Sequence, residues 1–252
     1  MRLDAYIFTS GRARSRSFAA ELIKNGLVKV DGKVITKPSY EIEGDVPVEV
    51  GELYPFVGRG GVKLDFALDK FGVNVEGMTA LDVGASTGGF TDCLLRRGAS
   101  KVYAVDSGHG QLDGKLAADS RVVNLEGVNA KELSRHVPVC GVAVCDVSFI
   151  SQTLIIPEIV KVLDDSGVFI TLIKPQFECG RHALGKGGIV KDKKYHKEAV
   201  EKVVGASSDC GLTLCSLAAS PVKGGDGNRE FLALFARNGA KLDNDQINEV
   251  VK

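Results

Sequence analysis

The chain has 252 residues, 44% hydrophobic and 25% charged, with Lys+Arg and Asp+Glu equal at 32 each. That length holds one large domain or a large and a small one, and the composition fits a globular chain with a well-filled core. The neutral balance gives no sign of a polyanionic partner, and the longest apolar run, Val168–Ile173, is only strand length, far short of a membrane-spanning helix.

Met1-Arg2-Leu3-Asp4 lacks the apolar stretch of a secretory signal, so a cytoplasmic location is expected. The six cysteines (Cys93, Cys140, Cys145, Cys179, Cys210, Cys215) form no Cys-x-x-Cys pair, and the four histidines do not sit at zinc-ligand spacing to them. The thiols read as small core residues, and no metal site is expected.

Residues 2–50 read as one compact unit. Leu3, Tyr6, Ile7 and Phe8 lie near one face of a short helix ended by Ser10-Gly11. Ser15 can cap a second helix with Phe18, Ala19, Leu22 and Ile23 on its buried side, stopped by Gly26. Leu27–Val30 and Val34–Thr36 flank Asp31-Gly32, a two-residue hairpin turn, and Val46–Val50 is a last strand.

Charge is unevenly spread in this unit. From Arg12 to Lys37, seven basic residues (Arg12, Arg14, Arg16, Lys24, Lys29, Lys33, Lys37) stand against two acids, Glu21 and Asp31. Such clusters are ordinarily solvated surface. Three arginines around a helix start, where free backbone N–H groups favour anions, raise the alternative of a phosphate footprint.

Arg2-Leu3-Asp4-x-Tyr6, Ser15-Arg16-x-x-Ala19 and Leu27-Val28-x-Val30-Asp31-Gly32-Lys33-Val34 together resemble the small RNA-binding domain first seen in ribosomal protein S4. The resemblance implies binding to folded RNA, largely through backbone and shape. Its RNA-facing candidates are Arg2, Arg12, Arg14, Arg16, Lys24 and Lys33.

Gly51–Gly61, with Pro55, Gly58 and Gly60, reads as a linker. Beyond it short apolar strands alternate with helices, the pattern of an α/β domain with a largely parallel sheet. The expected strands are Thr79–Val83, Lys101–Val105, Val122–Leu125, Val142–Cys145, Val168–Ile173, Thr213–Ala218 and Glu230–Ala236. Helices are expected over Lys63–Phe71, Gly89–Arg97, Leu154–Leu163 and Lys194–Ser208.

The first strand ends in Asp82 and runs into Gly84-Ala85-Ser86-Thr87-Gly88-Gly89-Phe90, a glycine-rich turn that lets a ligand approach the backbone. Asp106, 22 residues after Gly84, ends the second strand, where an acid can accept from ribose hydroxyls. A nicotinamide dinucleotide prefers Gly-x-Gly-x-x-Gly. The spacing Gly-x-x-x-Gly-Gly after a carboxylate fits S-adenosylmethionine (SAM) better, though a dinucleotide stays a rival at this level. Asn129, past the third strand, is either an adenine contact or a turn residue.

Asp146 and Lys174 each follow an apolar strand, and strand carboxyl ends line the ligand crevice of open α/β sheets. A structural salt bridge is the plainer reading of that pair. Lys63, after Arg59-Gly60-Gly61, and Glu230, after Gly224–Asn228, read singly as surface charges.

Taken jointly, Arg59-Gly60-Gly61-x-Lys63-Leu64, the turn 82–93, Asp146-Val147-Ser148-Phe149-Ile150-Ser151, Ile173-Lys174-Pro175-Gln176-Phe177-Glu178 and Gly185-Lys186-Gly187-Gly188-x-Val190 resemble the TlyA/haemolysin A family. The resemblance implies an RNA-binding domain (1–50), a linker (51–61), an FtsJ-like methyltransferase domain (62–237) and a tail (238–252). It implies a class I SAM-dependent methyltransferase fold, Rossmann-like with a mostly parallel seven-stranded sheet, behind a small α+β module. The implied activity is 2′-O-methylation of cytidine in ribosomal RNA, with SAM as cofactor and ribosomal RNA or a subunit as partner.

The resemblance also assigns a catalytic Lys-Asp-Lys-Glu set to Lys63, Asp146, Lys174 and Glu230. A ribose hydroxyl is a poor nucleophile, and a lysine beside a second cation can take its proton. Lys174 is expected as that base, Lys63 as the neighbouring charge, and the two acids as holders of the ammonium groups. The cofactor set is Asp82, Gly84, Ala85, Ser86, Thr87, Gly88, Gly89, Phe90, Asp106 and Asn129, and Arg59, Arg181 and Lys186 join the RNA set. The family name raises a membrane-active protein as an alternative, and an inactive RNA-binding protein is another. The region after Arg237, with Leu242, Ile247 and Val250 at near-helical spacing, is either a docking helix or disordered.

Overall fold

Local signals build the N-terminal part of the chain. In the computed structural model, which describes every residue except Arg14, Asp45 and Glu52–Tyr54, two compact units separate, Met1–Pro55 and Phe56–Lys252. In the first, helices α1 (Leu3–Thr9) and α2 (Arg16–Lys24) precede strands β1 (Val28–Val30), β2 (Lys33–Val34) and β3 (Val48–Val50). The Ser15 hydroxyl accepts from the Phe18 amide at 3.1 Å, capping α2.

Asp31 and Gly32 both take positive φ, 50° and 73°, as a two-residue hairpin turn requires. The strands pair antiparallel in the order β2-β1-β3, over a core of Leu3, Ile7, Ala19, Leu22, Ile23 and Val28. The last strand begins at Val48 rather than Val46 because Pro47 has no N–H for the ladder.

The second unit runs α3 (Arg59–Phe71), β4 (Thr79–Val83), α4 (Gly89–Arg96), β5 (Lys101–Asp106), α5 (Gly114–Ala117), β6 (Val122–Glu126) and β7 (Cys140–Cys145). It continues α6 (Ile156–Lys161), β8 (Leu163–Ile173), α7 (Pro175–Glu178), α8 (Lys193–Asp209), β9 (Thr213–Ala219), β10 (Phe231–Ala236) and α9 (Asn244–Val251). Part of the expected linker therefore lies outside the described residues, and its end is already helical from Arg59.

The seven strands order β6-β5-β4-β7-β8-β10-β9, all parallel except β10, which runs against both neighbours. This is the α/β methyltransferase fold. Alternate residues feed two apolar layers: Leu81, Ala143 and Phe169 on one face, Ala80, Val142 and Ile170 on the other. The chain's winding reverses between β4 and β7, so the loops after them part and leave a crevice.

Two elements differ instructively from expectation. The helix expected over 154–163 covers Ile156–Lys161, with Pro157 in its first turn, where a missing N–H costs nothing. Before it lies a 3₁₀ turn, Gln152–Leu154, whose buried Gln152 side chain is tied into β8. The region after Arg237 ends in α9, closed by a capping box between Asp243 and Gln246, with Ile247 and Val251 in the core.

Candidate functional site

The register of the sheet brings the four charged residues together. Asp146 follows β7 and Lys174 follows β8. Phe231 pairs antiparallel with Ile173, so Glu230, one residue before β10, flanks Lys174 on the neighbouring strand. Lys63 reaches the same place from α3.

The Lys63 ammonium donates to Glu230 Oε2 at 2.6 Å, and both side chains are more than nine-tenths buried. Lys174 Nζ lies 2.6 Å from Asp146 Oδ1, an ion-pair contact off the angles of a hydrogen bond, and donates to Ser148 Oγ at 2.9 Å. Burial raises Glu230 above the usual carboxylate range, with Lys63 and Lys174 pulling it back and Asp146 pushing it further. Charges buried this deeply persist only when paired, as these are.

The backbone at the crevice is tightly packed. Gly84 has φ of +83°, and a Cβ there would stand 2.7 Å from the Asp146 carbonyl oxygen, so only glycine lets the turn approach the Asp146 backbone. A Cβ on Gly88 would lie 2.3 Å from Leu116 Cδ1, and one on Gly89 would lie 3.0 Å from the Gly61 nitrogen. At Gly88 and Gly89 the turn therefore packs against Leu116 and Gly61 and has no room for a side chain.

Beside the turn opens a cleft of about 480 Å³, large enough for a nucleoside-sized ligand. Gly84, Ser86, Asp106 and Asn129 of the expected cofactor set line it, together with Asp146, Ser148 and Phe149. Ala85, Gly88 and Gly89 are buried, Thr87 is half-buried, and Phe90 packs in the core; none of these five lines the cleft. Asp106 accepts from the Ser86 and Gly108 amides, each at 2.8 Å, which stitches the turn to the next loop and leaves lone pairs for a hydroxyl. The Asn129 side chain accepts from the Lys131 amide at 3.0 Å.

Asp82 lies under the turn, fully buried. Thr91 donates to its Oδ2 at 2.6 Å, while Oδ1 has no hydrogen-bond partner among the described residues. The charged residues lining the cleft, among those described, are Asp106 and Asp146. Carboxylates at and beneath the cleft, with no lining lysine or arginine, suit a ligand carrying positive charge and no phosphates. SAM, with its sulfonium and ammonium, has that chemistry, and a dinucleotide does not.

Asp82 also gives a pH prediction. Burial pushes it up to about 7; the Thr91 hydroxyl opposes the shift, and the Asp146 and Asp106 carboxylates add to it. Its ordinary value is near 3.9, so from about pH 4 to 7 the folded chain holds a proton that the unfolded chain has released. The stability from this group is complete below about pH 4 and falls as pH rises towards 7. Glu126, held at about 2 by the amides of Leu112, Gly110 and Gln111, acts only below that window. Asp82→Asn is expected to flatten the fall, read as the thermal midpoint from pH 4 to 8. An unchanged slope would rule the assignment out.

The basic candidates are dispersed. In the first unit Arg2 donates to both Asp4 oxygens at 3.1 and 2.7 Å, and Arg16 stands 3.3 Å from the same carboxylate. Arg2, followed by Arg16, holds Asp4 down at about 2. Arg12 donates to the Val48 carbonyl at 2.5 Å, Lys24 and Lys33 are exposed, and Arg14 lies outside the described residues. In the second unit Arg59 is half-buried in the first turn of α3, while Arg181 and Lys186 are exposed on two 3₁₀ turns.

Sequence reasoning missed three residues. Phe149 is 92% exposed with φ of +65°, at the rim of the cleft. An aromatic in an apolar string reads as core, so nothing local announces it. Ser148, a partner of Lys174, and Glu126, which orders the loop at Gln111, are polar residues whose roles depend on contacts far along the chain.

Residues 56–237 match the family model described as FtsJ-like methyltransferase, and residues 1–47 match that of the S4 domain. Hemolysin A of Brachyspira hyodysenteriae is 44% identical over 238 residues, covering 93% of this chain and 99% of that protein. The Mycobacterium tuberculosis protein named 16S/23S rRNA (cytidine-2′-O)-methyltransferase TlyA is 40% identical, over 91% of this chain and 87% of its own length. Among solved structures, a protein described as a hemolysin from Streptococcus thermophilus is similar with a TM-score of 0.79 and 39% identity. That match spans 100% of this chain and 94% of the other.

Proposed function

The chain belongs to the FtsJ-like methyltransferase family, and from that premise we propose that it methylates a ribose 2′-hydroxyl of ribosomal RNA, on cytidine, using SAM. The observation that carries this reading is the convergence of Lys63, Asp146, Lys174 and Glu230 in two ion pairs beside the cleft. The name of the mycobacterial relative and the S4 domain support RNA as substrate. The carboxylate-lined cleft supports the cofactor.

When bound, SAM supplies an electrophilic methyl group on a positively charged sulfur. The rest falls to the chain's own residues. Asp146 and Ser148 hold Lys174 Nζ beside the cleft, where it serves as base or hydrogen-bond acceptor for the 2′-hydroxyl proton. The buried Lys63–Glu230 pair, neutral as a whole, fixes an ammonium and a carboxylate beside it with neither group uncompensated. Ser86 and Asp106, joined by the Ser86 amide, would hold the nucleoside side of the cofactor.

Phe149 offers a stacking face at the mouth of the site, packed on Phe177 with ring centroids 5.1 Å apart. Single-stranded or splayed bases are held by such stacking, at about 1–3 kcal/mol per base. Phe149→Ala is therefore expected to lower kcat/KM for the ribosomal substrate by about 5- to 150-fold. A full-strength kcat/KM in this variant removes the ring from substrate binding.

Arg2, Arg12, Arg14, Arg16, Lys24 and Lys33 are assigned to RNA phosphates, as are Arg59, Arg181 and Lys186 of the second unit. The proposed location is the cytoplasm; among the described residues, no helix is long and apolar enough to cross a membrane. Mass-spectrometric mapping of 2′-O-methyl groups on ribosomal RNA from strains with and without the gene tests the proposal. Identical maps, together with no methyl transfer by purified protein to ribosomal subunits, would falsify it.

A further inference from the structure

Lys174 and Asp146 sit at the ends of neighbouring strands, on segments that continue outward side by side. The segment after β7 carries Asp146, Ser148 and Phe149 and ends in the 3₁₀ turn at Gln152. The segment after β8 is Lys174 and the single turn of α7, Pro175–Glu178. Three contacts join them in order. Lys174 meets Asp146 and Ser148; the Phe177 ring meets Phe149; and the Glu178 carboxylate meets Ser151 and Gln152.

The outermost of these contacts is the most buried. The Glu178 side chain is 1% exposed, and its two oxygens accept separately, from Ser151 Oγ at 2.5 Å and from the Gln152 amide at 2.8 Å. Lys202 of α8 closes over it, donating to the Glu178 carbonyl at 2.8 Å with its ammonium 3.5 Å from Oε2. Gln152 is itself fixed to β8: its amide donates to the Leu172 carbonyl and its oxygen accepts from Thr171, both at 2.6 Å. Between these ends the loop holds Phe149 at positive φ with its ring in solvent, a conformation that a phenylalanine adopts only when its surroundings enforce it.

We infer that Glu178 is a positioning residue for methyl transfer, clamping the 146–152 loop so that Ser148 meets Lys174 and Phe149 faces the substrate. It does not line the cleft and acts through Ser151 and Gln152. The inference rests on the proposed roles of Lys174 and Phe149. The clamped loop contributes Asp146, Ser148 and Phe149 to the cleft, while Gly84, Ser86 and Asp106 reach it from other loops, so the clamp fixes one part of the lining and leaves the rest in place.

Glu178→Gln keeps the shape and one acceptor oxygen but places an amide N–H₂ against one of the two donors. Methyl transfer to ribosomal subunits from a gene-deleted strain is expected to lose at least about tenfold in kcat, as small misplacements do. SAM affinity, read by calorimetry, is expected to fall by less than kcat does, since Gly84, Ser86 and Asp106 lie on other loops. Hydrogen exchange over 147–153 is expected to quicken, while that over 84–90 does not. Ser151→Ala, which removes one of the two bonds without changing a charge, should give a smaller loss of the same kind and serves if Glu178→Gln does not fold.

An unchanged kcat in a folded variant overturns the inference. So does a joint fall of kcat, SAM affinity and exchange protection across the whole unit, which marks a merely structural role. If the unsubstituted protein transfers no methyl group to any ribosomal RNA, the RNA reading fails instead. The exchange arm then still decides the clamp, because unchanged exchange over 147–153 overturns it without reference to activity.

Discussion

Lys174→Ala is expected to abolish measurable methyl transfer, with a loss of about 10²- to 10⁴-fold, while SAM binds nearly as before. The separation follows from the geometry. Lys174 stands 2.6 Å from Asp146 and 2.9 Å from Ser148 and does not itself line the cleft that Ser86 and Asp106 border. Removing its ammonium leaves Asp146 one-fifth exposed, able to recover water, so the fold tolerates the change. Calorimetric titration with SAM and transfer of labelled methyl to ribosomal subunits read the two properties independently. Retained turnover would end the assignment of Lys174 to the 2′-hydroxyl, and a parallel loss of SAM affinity would move it to the cofactor side.

Lys63 behaves differently because its partner has no access to water. Lys63→Met leaves Glu230 buried with its countercharge gone, and breaking such a pair costs about 3–5 kcal/mol. For a unit of this size that lowers the thermal midpoint by on the order of 10 °C. Burial already raises Glu230, with Lys63 as the largest opposing influence, so the variant should take up a proton at that carboxyl. The double variant Lys63→Met with Glu230→Leu replaces the pair by apolar groups and should recover most of the stability without recovering transfer. Scanning calorimetry of the single and double variants beside their kcat checks both halves. A single variant as stable as the parent chain, or a double variant with full activity, contradicts the assignment.

The two substitutions separate the pairs by their surroundings. Both are lysine–carboxylate contacts of 2.6 Å. One is sealed, so its removal is felt mainly in folding and charge. The other borders the cleft, so its removal is felt mainly in chemistry.

Much of the frame was legible in advance because it rests on local rules. The strand Thr79–Val83 is found where its apolar run stands, and Asp31-Gly32 turns the hairpin because its residues accept positive φ. The alternation of strands and helices forecast a mostly parallel sheet, and its one reversed member, β10, follows from a return connection that local patterning does not encode. The glycines of 84–89 were read as room for a ligand. At Gly88 and Gly89 the space is filled instead by Leu116, Leu112 and Gly61, contacts that depend on α3 and α5 arriving from elsewhere in the chain.

By itself, then, the sequence determined the strands and the longer helices, the order in which they follow and the kinship of both modules, and it singled out four ionisable residues. Those depend on spacing, turn chemistry and joint occurrence of motifs, which are properties of the chain alone. Helices α5 and α7 carry no such signal, and α9 stayed open. Only the tertiary structure decided that Lys63 pairs with Glu230 across 167 residues, that Asp82 is sealed beneath the turn, and that Phe149 stands in solvent. It likewise decided that Glu178 grips the loop beside it and that the last helix docks through Ile247 and Val251. Pairing, burial and exposure are set by which segments the sheet brings side by side, and a side chain's charge or size does not say what will be packed against it.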